Sequence, residues 1–177
     1  MLETQEWVKS VIVGLNFCPF ARREVEKKSI NYRVVESGTL ENYLETLIVE
    51  CVNLDQNEEV ETALLIFPDR LDDFEDFLDF YDLADALLLD QGYEGIYQLA
   101  SFHPDYCFAE SEEGDAANYT NRSPYPTLHL IREASIERVL ENVANPKEIP
   151  AENIERARAL GTDKMAALLK ACFKGHH

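Results

Sequence analysis

The sequence predicts a single-domain, open mixed four-stranded sheet with helices packed on it, an α/β fold at the border with α+β. Two observations predict it. Short apolar or alternating runs closed by Gly or Pro recur between amphipathic segments, which is how strands and helices alternate in α/β chains. A chain of 177 residues that is 46% hydrophobic also has enough apolar surface for one core.

The elements follow in order. Trp7, Val8, Val11, Ile12 and Leu15 fall at helical spacing, while "VIV" keeps a strand alternative open for residues 2–15. "CPFARREVEKK" is expected as a helix with Cys18 at its N-cap, because the residue before proline is pushed out of the helical region and proline suits the first helical position. "INYRVVES" alternates as a strand. Thr39 is a fair N-cap for a helix whose Leu40, Tyr43, Leu44, Leu47, Ile48 and Cys51 share a face. "TALLIFP" reads as a strand buried on both faces. The helix after it carries Phe74, Phe77, Leu78, Tyr81, Ala84 and Leu88 on one stripe, with Asp72 and Glu75 spaced like a capping box and Gly92 at its end. "EGIYQLASFHP" and "TLHLIRE" are the third and fourth strands. Helices follow in "SIERVLENV" and from Pro150 to Phe173, broken or bent near Gly161. Strand-helix-strand order implies parallel neighbours, with the last two strands antiparallel. The domain is expected to span residues 1–175, with His176 and His177 as a tag remnant.

Composition narrows the function. The chain holds 34 acidic and 16 basic residues, a formal charge of -18, which argues against nucleic acid and anionic membranes as partners. Residues 55–94 carry fourteen acids against Arg70 alone, whereas residues 116–177 carry seven acids and nine bases, so an anionic ligand would sit near Arg122 and Arg132. The acidic middle reads as a solvated helix face. The N-terminus lacks the marks of a signal peptide, and no apolar run nears the roughly 20 residues of a membrane span. Four dispersed cysteines do not make a disulfide framework. Together these predict a cytoplasmic protein that takes a small-molecule ligand.

Three constellations could carry chemistry. A helix-start thiol at Cys18, with Arg22 and Arg23 one turn in, has the setting that lowers a thiol pKa; the bland alternative is a buried cysteine at a helix junction. At the end of strand three, "SFHPDYC" places His103 four residues before Cys107. His103 could serve as base to Cys18 or Cys107 with Asp105 orienting it, or Cys18, His103, Cys107 and His129 could hold zinc; a loop-bracing histidine outweighs both. The long segment between Pro104 and Pro126 has no periodicity, as functional loops often do not. In it Asn118, Tyr119, Thr120, Asn121, Arg122 and Ser123 crowd donors and acceptors, and the planar Arg122 suits a carboxylate or phosphate; the alternative is a loop that satisfies its own backbone. The chemical expectation is a small-molecule enzyme with an activated cysteine acting on an anionic substrate, against a non-catalytic ligand-binding or zinc-binding domain.

"VIVGLNFCPFARREVEKKSINYRVVES" is similar to the glutaredoxin arrangement of a strand, Cys-Pro-aromatic, a basic helix and a strand. Ala21 stands where a second cysteine would be, which would imply one-thiol chemistry. "GLNFCPFA", "YQLASFHPDYCFA" and "DAANYTNRSPYPTLHLIREAS" together resemble the bacterial domain of unknown function 1415 family, over nearly the whole chain. That resemblance implies a soluble single-domain protein and brings no reaction, cofactor or catalytic residue.

Overall fold

In a computed structural model that describes residues 1–36, 38–141 and 145–173, the chain builds one four-stranded sheet with helices on both faces. The elements are α1 (Leu2–Trp7), a π-helix (Val8–Val13), α2 (Ala21–Lys27), β1 (Ile30–Val34), α3 (Leu40–Gln56), β2 (Thr62–Ile66), α4 (Phe74–Asp90), β3 (Tyr97–Phe102), a 3₁₀ turn (Ala116–Thr120), β4 (Thr127–Arg132), α5 (Glu133–Leu140), α6 (Ile149–Leu160) and α7 (Thr162–Ala171). Strand order is β1-β2-β4-β3. β1 and β2 run parallel, and β4 pairs antiparallel with both β2 and β3. The predicted mixed sheet is thus present, with β4 inserted between the strands that flank α4.

Local chemistry explains the boundaries. The Thr39 hydroxyl accepts from the Asn42 N–H, and Asn42 Oδ1 accepts in return from the Thr39 N–H at 3.1 Å, closing a capping box at α3. The cap of α4 lies one residue later than the spacing suggested. Asp73, rather than Asp72, accepts from the N–H groups of Glu75 and Asp76. Gly161, at φ 84°, adopts a conformation that favours glycine and separates α6 from α7. The last residues of "SIERVLENV", and His176 and His177, lie outside the described residues.

Residues 2–13 are helical and 14–15 form a turn, which settles the open alternative and removes the first strand of the glutaredoxin arrangement. Their second half is a π-helix, one residue per turn wider than α. Gly14 makes its exit feasible: a Cβ there would come within 2.1 Å of the Ser10 carbonyl oxygen.

The alternation of the strands sorts side chains into two layers. Ala63, Leu65, Leu99, Leu128 and Leu130 face α3 and α4, where Tyr43, Leu47, Phe67, Phe77 and Phe80 complete a dry core. Thr62, Leu64, Ala100, Phe102, His129 and Ile131 have the opposite parity. On that face Leu64 and Phe102 pack with Trp7, Val8, Val11, Phe17, Ala157 and Met165. At the far end Arg132 braces the exit of α3, donating to the carbonyls of Leu54 and Val60 and to the Tyr97 hydroxyl.

Candidate functional site

The helical layer that packs Trp7 against Phe102 does not close fully on the sheet. A cavity of about 520 Å³ remains, its lining mostly apolar. Its floor is the sheet, with Thr62, Leu64, Ala100, Phe102, His129 and Ile131; its walls come from the π-helix, the Phe17–Glu24 segment, α5 and α6.

Helix α6 holds the Cys18 segment in place. Asn153 donates to the Phe17 carbonyl at 2.6 Å, and Arg156 donates to the carbonyls of Leu15 and Asn16 at 3.1 Å each. These carbonyls leave the π-helix without intrahelical partners, so a distant helix supplies them. Cys18 precedes α2 by three residues instead of capping it. Pro19 and Phe20 form a turn, and the Ala21 N–H closes back on the Cys18 carbonyl at 3.3 Å. Burial pushes the Cys18 thiol up, and the N–H groups of Phe20 and Ala21 that favour the thiolate do not offset it. The expected depression of this pKa is therefore reversed, because the segment is roofed by protein instead of open to solvent at a helix start.

His129 lies on the cavity floor. Thr62 Oγ1 contacts both the Leu130 carbonyl at 2.6 Å and His129 Nε2 at 2.7 Å. A carbonyl only accepts and Thr62 has one proton, so Thr62 donates to Leu130 and His129 Nε2–H donates to Thr62. That leaves Nδ1 as a lone pair without a protein partner among the described residues. Burial holds the imidazole down at about 4, so it is neutral at physiological pH.

The predicted site residues divide into three places. His103 continues the alternation of β3 onto the α4 face and is fully buried, with ring centroids 5.2 and 5.1 Å from those of Phe74 and Phe77. Both its nitrogens are occupied. Nδ1 accepts from the Asp105 backbone N–H at 3.0 Å, and Nε2–H donates to the Leu71 carbonyl at 2.9 Å, holding Leu71 at φ 64°. The sheet thus separates His103 from Cys18, and it is the Asp105 backbone, not its carboxylate, that meets the imidazole.

Cys107 and the polar loop form a second group. Asn118, fully buried, accepts from the Phe108 N–H and the Ser111 hydroxyl, and donates to the Glu112 carbonyl and weakly to Cys107 Sγ. Arg122 donates to the carbonyls of Tyr106 and Glu113, both at 3.0 Å, and lies 4.7 Å over the Tyr119 ring. Ser123 donates to the Tyr125 carbonyl. The guanidinium expected to bind an anion instead braces its own loop. Phe108, Thr120 and Asn121 are the loop residues that reach the cavity, and Asn121 also donates to the Ser101 carbonyl on β3.

Cys18 and His129 are the third group, on one cavity. Among the described residues no three His, Cys, Asp or Glu side chains gather where they could hold a metal ion. The zinc set of Cys18, His103, Cys107 and His129 is therefore not assembled, since its members are distributed over both faces of the sheet and the loop. No helix among the described residues is long and apolar enough to cross a membrane.

A family model described as protein of unknown function (DUF1415) matches residues 1–167. The chain belongs to that family. Searches of the curated proteins and of the solved structures gave no match, so the site of this DUF1415 protein is read from its own geometry.

Sequence reasoning missed the cavity's aromatic wall and the two α6 side chains that position Cys18. The wall had a signal. Thr62 and Leu64, Ala100 and Phe102, and His129 and Ile131 each alternate onto one sheet face, which brings a hydroxyl, an imidazole and a phenyl ring together once the strands are ordered.

The depressed His129 pKa predicts a stability window. The unfolded chain takes up a proton on this residue near pH 6.5, but the folded chain does so only near 4. Between those values the unfolded state binds more protons, so stability falls as pH is lowered from about 6.5 to 4 and this contribution then levels off. The loss is at most about 3 kcal/mol, and less because the ring keeps some contact with solvent. Cys18, Glu24 and Glu61 and the cations Arg23 and Arg138 line the same cavity. Urea unfolding of the wild type and of His129→Leu at pH 7, 5.5 and 4.5 should show a shallower decline in the variant; equal slopes would mean that His129 titrates normally.

Proposed function

We propose that this DUF1415 protein binds a small, largely apolar molecule in the cavity between the sheet and the N-terminal helices. The cavity itself supports the reading: about 520 Å³ of mostly apolar lining with a few convergent polar groups is the usual form of a small-ligand site, for which volumes of roughly 300–1,000 Å³ are typical. The anionic substrate expected from the polar loop loses its support, because Arg122 is committed to two carbonyls.

Ala100 lies on the sheet floor opposite His129 in the strand register, and Ala100→Phe should fill the space. The variant is expected to remain folded, since the added ring enters a mostly apolar cavity of about 520 Å³ and need not overpack the core. Compounds that bind the wild type saturably in a calorimetric screen of chemically mixed fragments should weaken at least tenfold. Undiminished binding to the variant, or no binder to the wild type, would end the proposal.

A second reading keeps Cys18 as a thiol nucleophile toward a bound electrophile, with His129 in place of His103 as proton acceptor. Its support is that both residues line one cavity and that His129 is neutral with Nδ1 unoccupied. Alkylation of Cys18 across pH, read by mass spectrometry, should then be slow in the empty protein, with an apparent pKa above the usual value of about 8.5. An apparent pKa below that value would restore the activated thiolate.

A further inference from the structure

The lining residues that are exposed mark where the cavity opens: Arg23 on α2, Gln98 on β3, Arg138 on α5 and Pro150 near the start of α6. Gln98 stands beside Ile131, which pairs in turn with Thr62, so the mouth lies over one end of the floor. Phe102 is four residues further along β3, about 13 Å away at the usual rise of a strand. There it packs against Trp7, and Phe17 and Leu64 in the same layer are buried as well. The cavity therefore grades from a polar mouth to an apolar inner end.

That mouth carries basic side chains in a strongly acidic protein. The chain has a formal charge of -18, yet residues 22–28 hold four bases against two acids, and Arg22, Arg23, Lys27 and Lys28 are all exposed. The acids on the lining are committed elsewhere. Glu24 is buried and accepts from the Ser29 hydroxyl, while Glu61 accepts from Ser135 and pairs with Arg138 at 2.7 Å. Arg23 is held more loosely. Its side chain is 55% exposed, its ion-pair contact is Glu24 Oε1 at 3.7 Å, and it forms no hydrogen bond with the described residues. A guanidinium is a planar fork that suits a carboxylate or phosphate, and this one stands at the rim of an apolar cavity. An anion paired there keeps part of its hydration, whereas one carried in among Trp7, Phe17 and Phe102 would be desolvated without an opposite charge.

We infer that the cavity takes an apolar molecule with one terminal oxyanion, a carboxylate or phosphate, whose body lies along the sheet from Gln98 toward Phe102 and whose head pairs with Arg23 at the mouth. This rests on the cavity being a ligand site and adds the class and orientation of the ligand. Four probes with the same alkyl chain separate the possibilities: octanoate and octyl phosphate, 1-octanol as the neutral counterpart, and octylamine as the cation. Binding to the wild type is read by ligand-observed NMR titration below the concentrations at which the probes self-associate. At least one oxyanion should bind about fivefold more tightly than 1-octanol, the upper range for a partly solvated ion pair, and octylamine should bind most weakly. Arg23→Gln should remove that advantage and leave 1-octanol within about twofold. Arg22→Gln makes the same charge change on a neighbouring exposed residue off the lining, and should leave oxyanion binding within about twofold.

Equal binding of 1-octanol and both oxyanions, or tighter binding of octylamine, would overturn this ligand class while leaving the cavity as a ligand site. Equal losses in Arg23→Gln and Arg22→Gln would overturn the contact with Arg23 in favour of a diffuse field. No binding of any probe at millimolar concentration would overturn the inference, and if the fragment screen also found no binder, the reading of the cavity would fall with it. The wild-type comparison decides the ligand class even if a variant fails to fold.

Discussion

Replacing His103 with alanine is expected to destabilise the protein by about 3–4 kcal/mol in urea unfolding, among the largest losses available from one substitution in this chain. The side chain is fully buried between Phe74 and Phe77, so truncation leaves a void the size of an imidazole. It also strands the Asp105 N–H and the Leu71 carbonyl, which make no other hydrogen bond among the described residues. Because Asp105 is exposed and Leu71 half-buried, each stranded group costs less than the full penalty of a buried one, about 1 kcal/mol. His103→Phe restores ring volume without the two hydrogen bonds and should recover roughly half of the loss. If His103→Ala unfolded at the wild-type urea concentration, the ring would not be holding Leu71 and the loop after β3, and its place under α4 would need another explanation.

Asn118→Ala should cost about 3 kcal/mol and should loosen one segment in particular. Asn118 Oδ1 accepts from the Phe108 N–H at 3.1 Å and from Ser111, while its Nδ2 donates to the Glu112 carbonyl at 2.9 Å. One amide thus stands in for the backbone pairing that the segment after β3 lacks, and without it at least two main-chain groups lose their partners. Amide hydrogen exchange should accelerate from Phe108 to Asp115 while β1 to β4 stay protected. Asn118→Asp should be nearly as damaging, because a carboxylate keeps the acceptor but presents negative charge to the Glu112 and Glu113 carbonyls. Unchanged exchange in both variants would show that the loop is held by Arg122 and the Asp115–Arg158 pair instead. That pair is bidentate, at 3.1 and 2.6 Å, and the Arg158 guanidinium holds the Asp115 carboxyl down at about 2. Its contribution is therefore retained to low pH, lost only as pH falls below the usual aspartate range toward 2.

Both substitutions concern residues that the sequence marked as chemical and the structure uses as braces. His103, Cys107 and Arg122 stood out because their types suit catalysis, metals and anions. The structure shows their donors and acceptors turned onto backbone groups of a long segment that has few other partners. A loop without regular pairing must satisfy its amides somehow, and polar side chains of this density are a way to do so. That demand is legible in principle, but which carbonyl each side chain meets depends on the path of the loop.

What the sequence by itself determined is local. Periodicity over residues 40–56 and 74–90, the capping box at Thr39, the doubly buried run at 62–66, and the breaks at Gly92 and Gly161 all follow from contacts within a few residues. Hence the strands, the main helices and the mixed sheet could be predicted. The tertiary structure alone decided that β4 enters between β2 and β3, and that insertion brings Thr62 and His129 together across two strands 67 residues apart in the chain. It also decided the sign of the Cys18 shift, since a thiol before a helix is acidic in water and weakly acidic under a roof of protein. The cavity is the clearest case. It exists because a π-helix, α5 and α6 meet the sheet without filling it, and an unfilled space is a property of distant surfaces, not of any stretch of sequence.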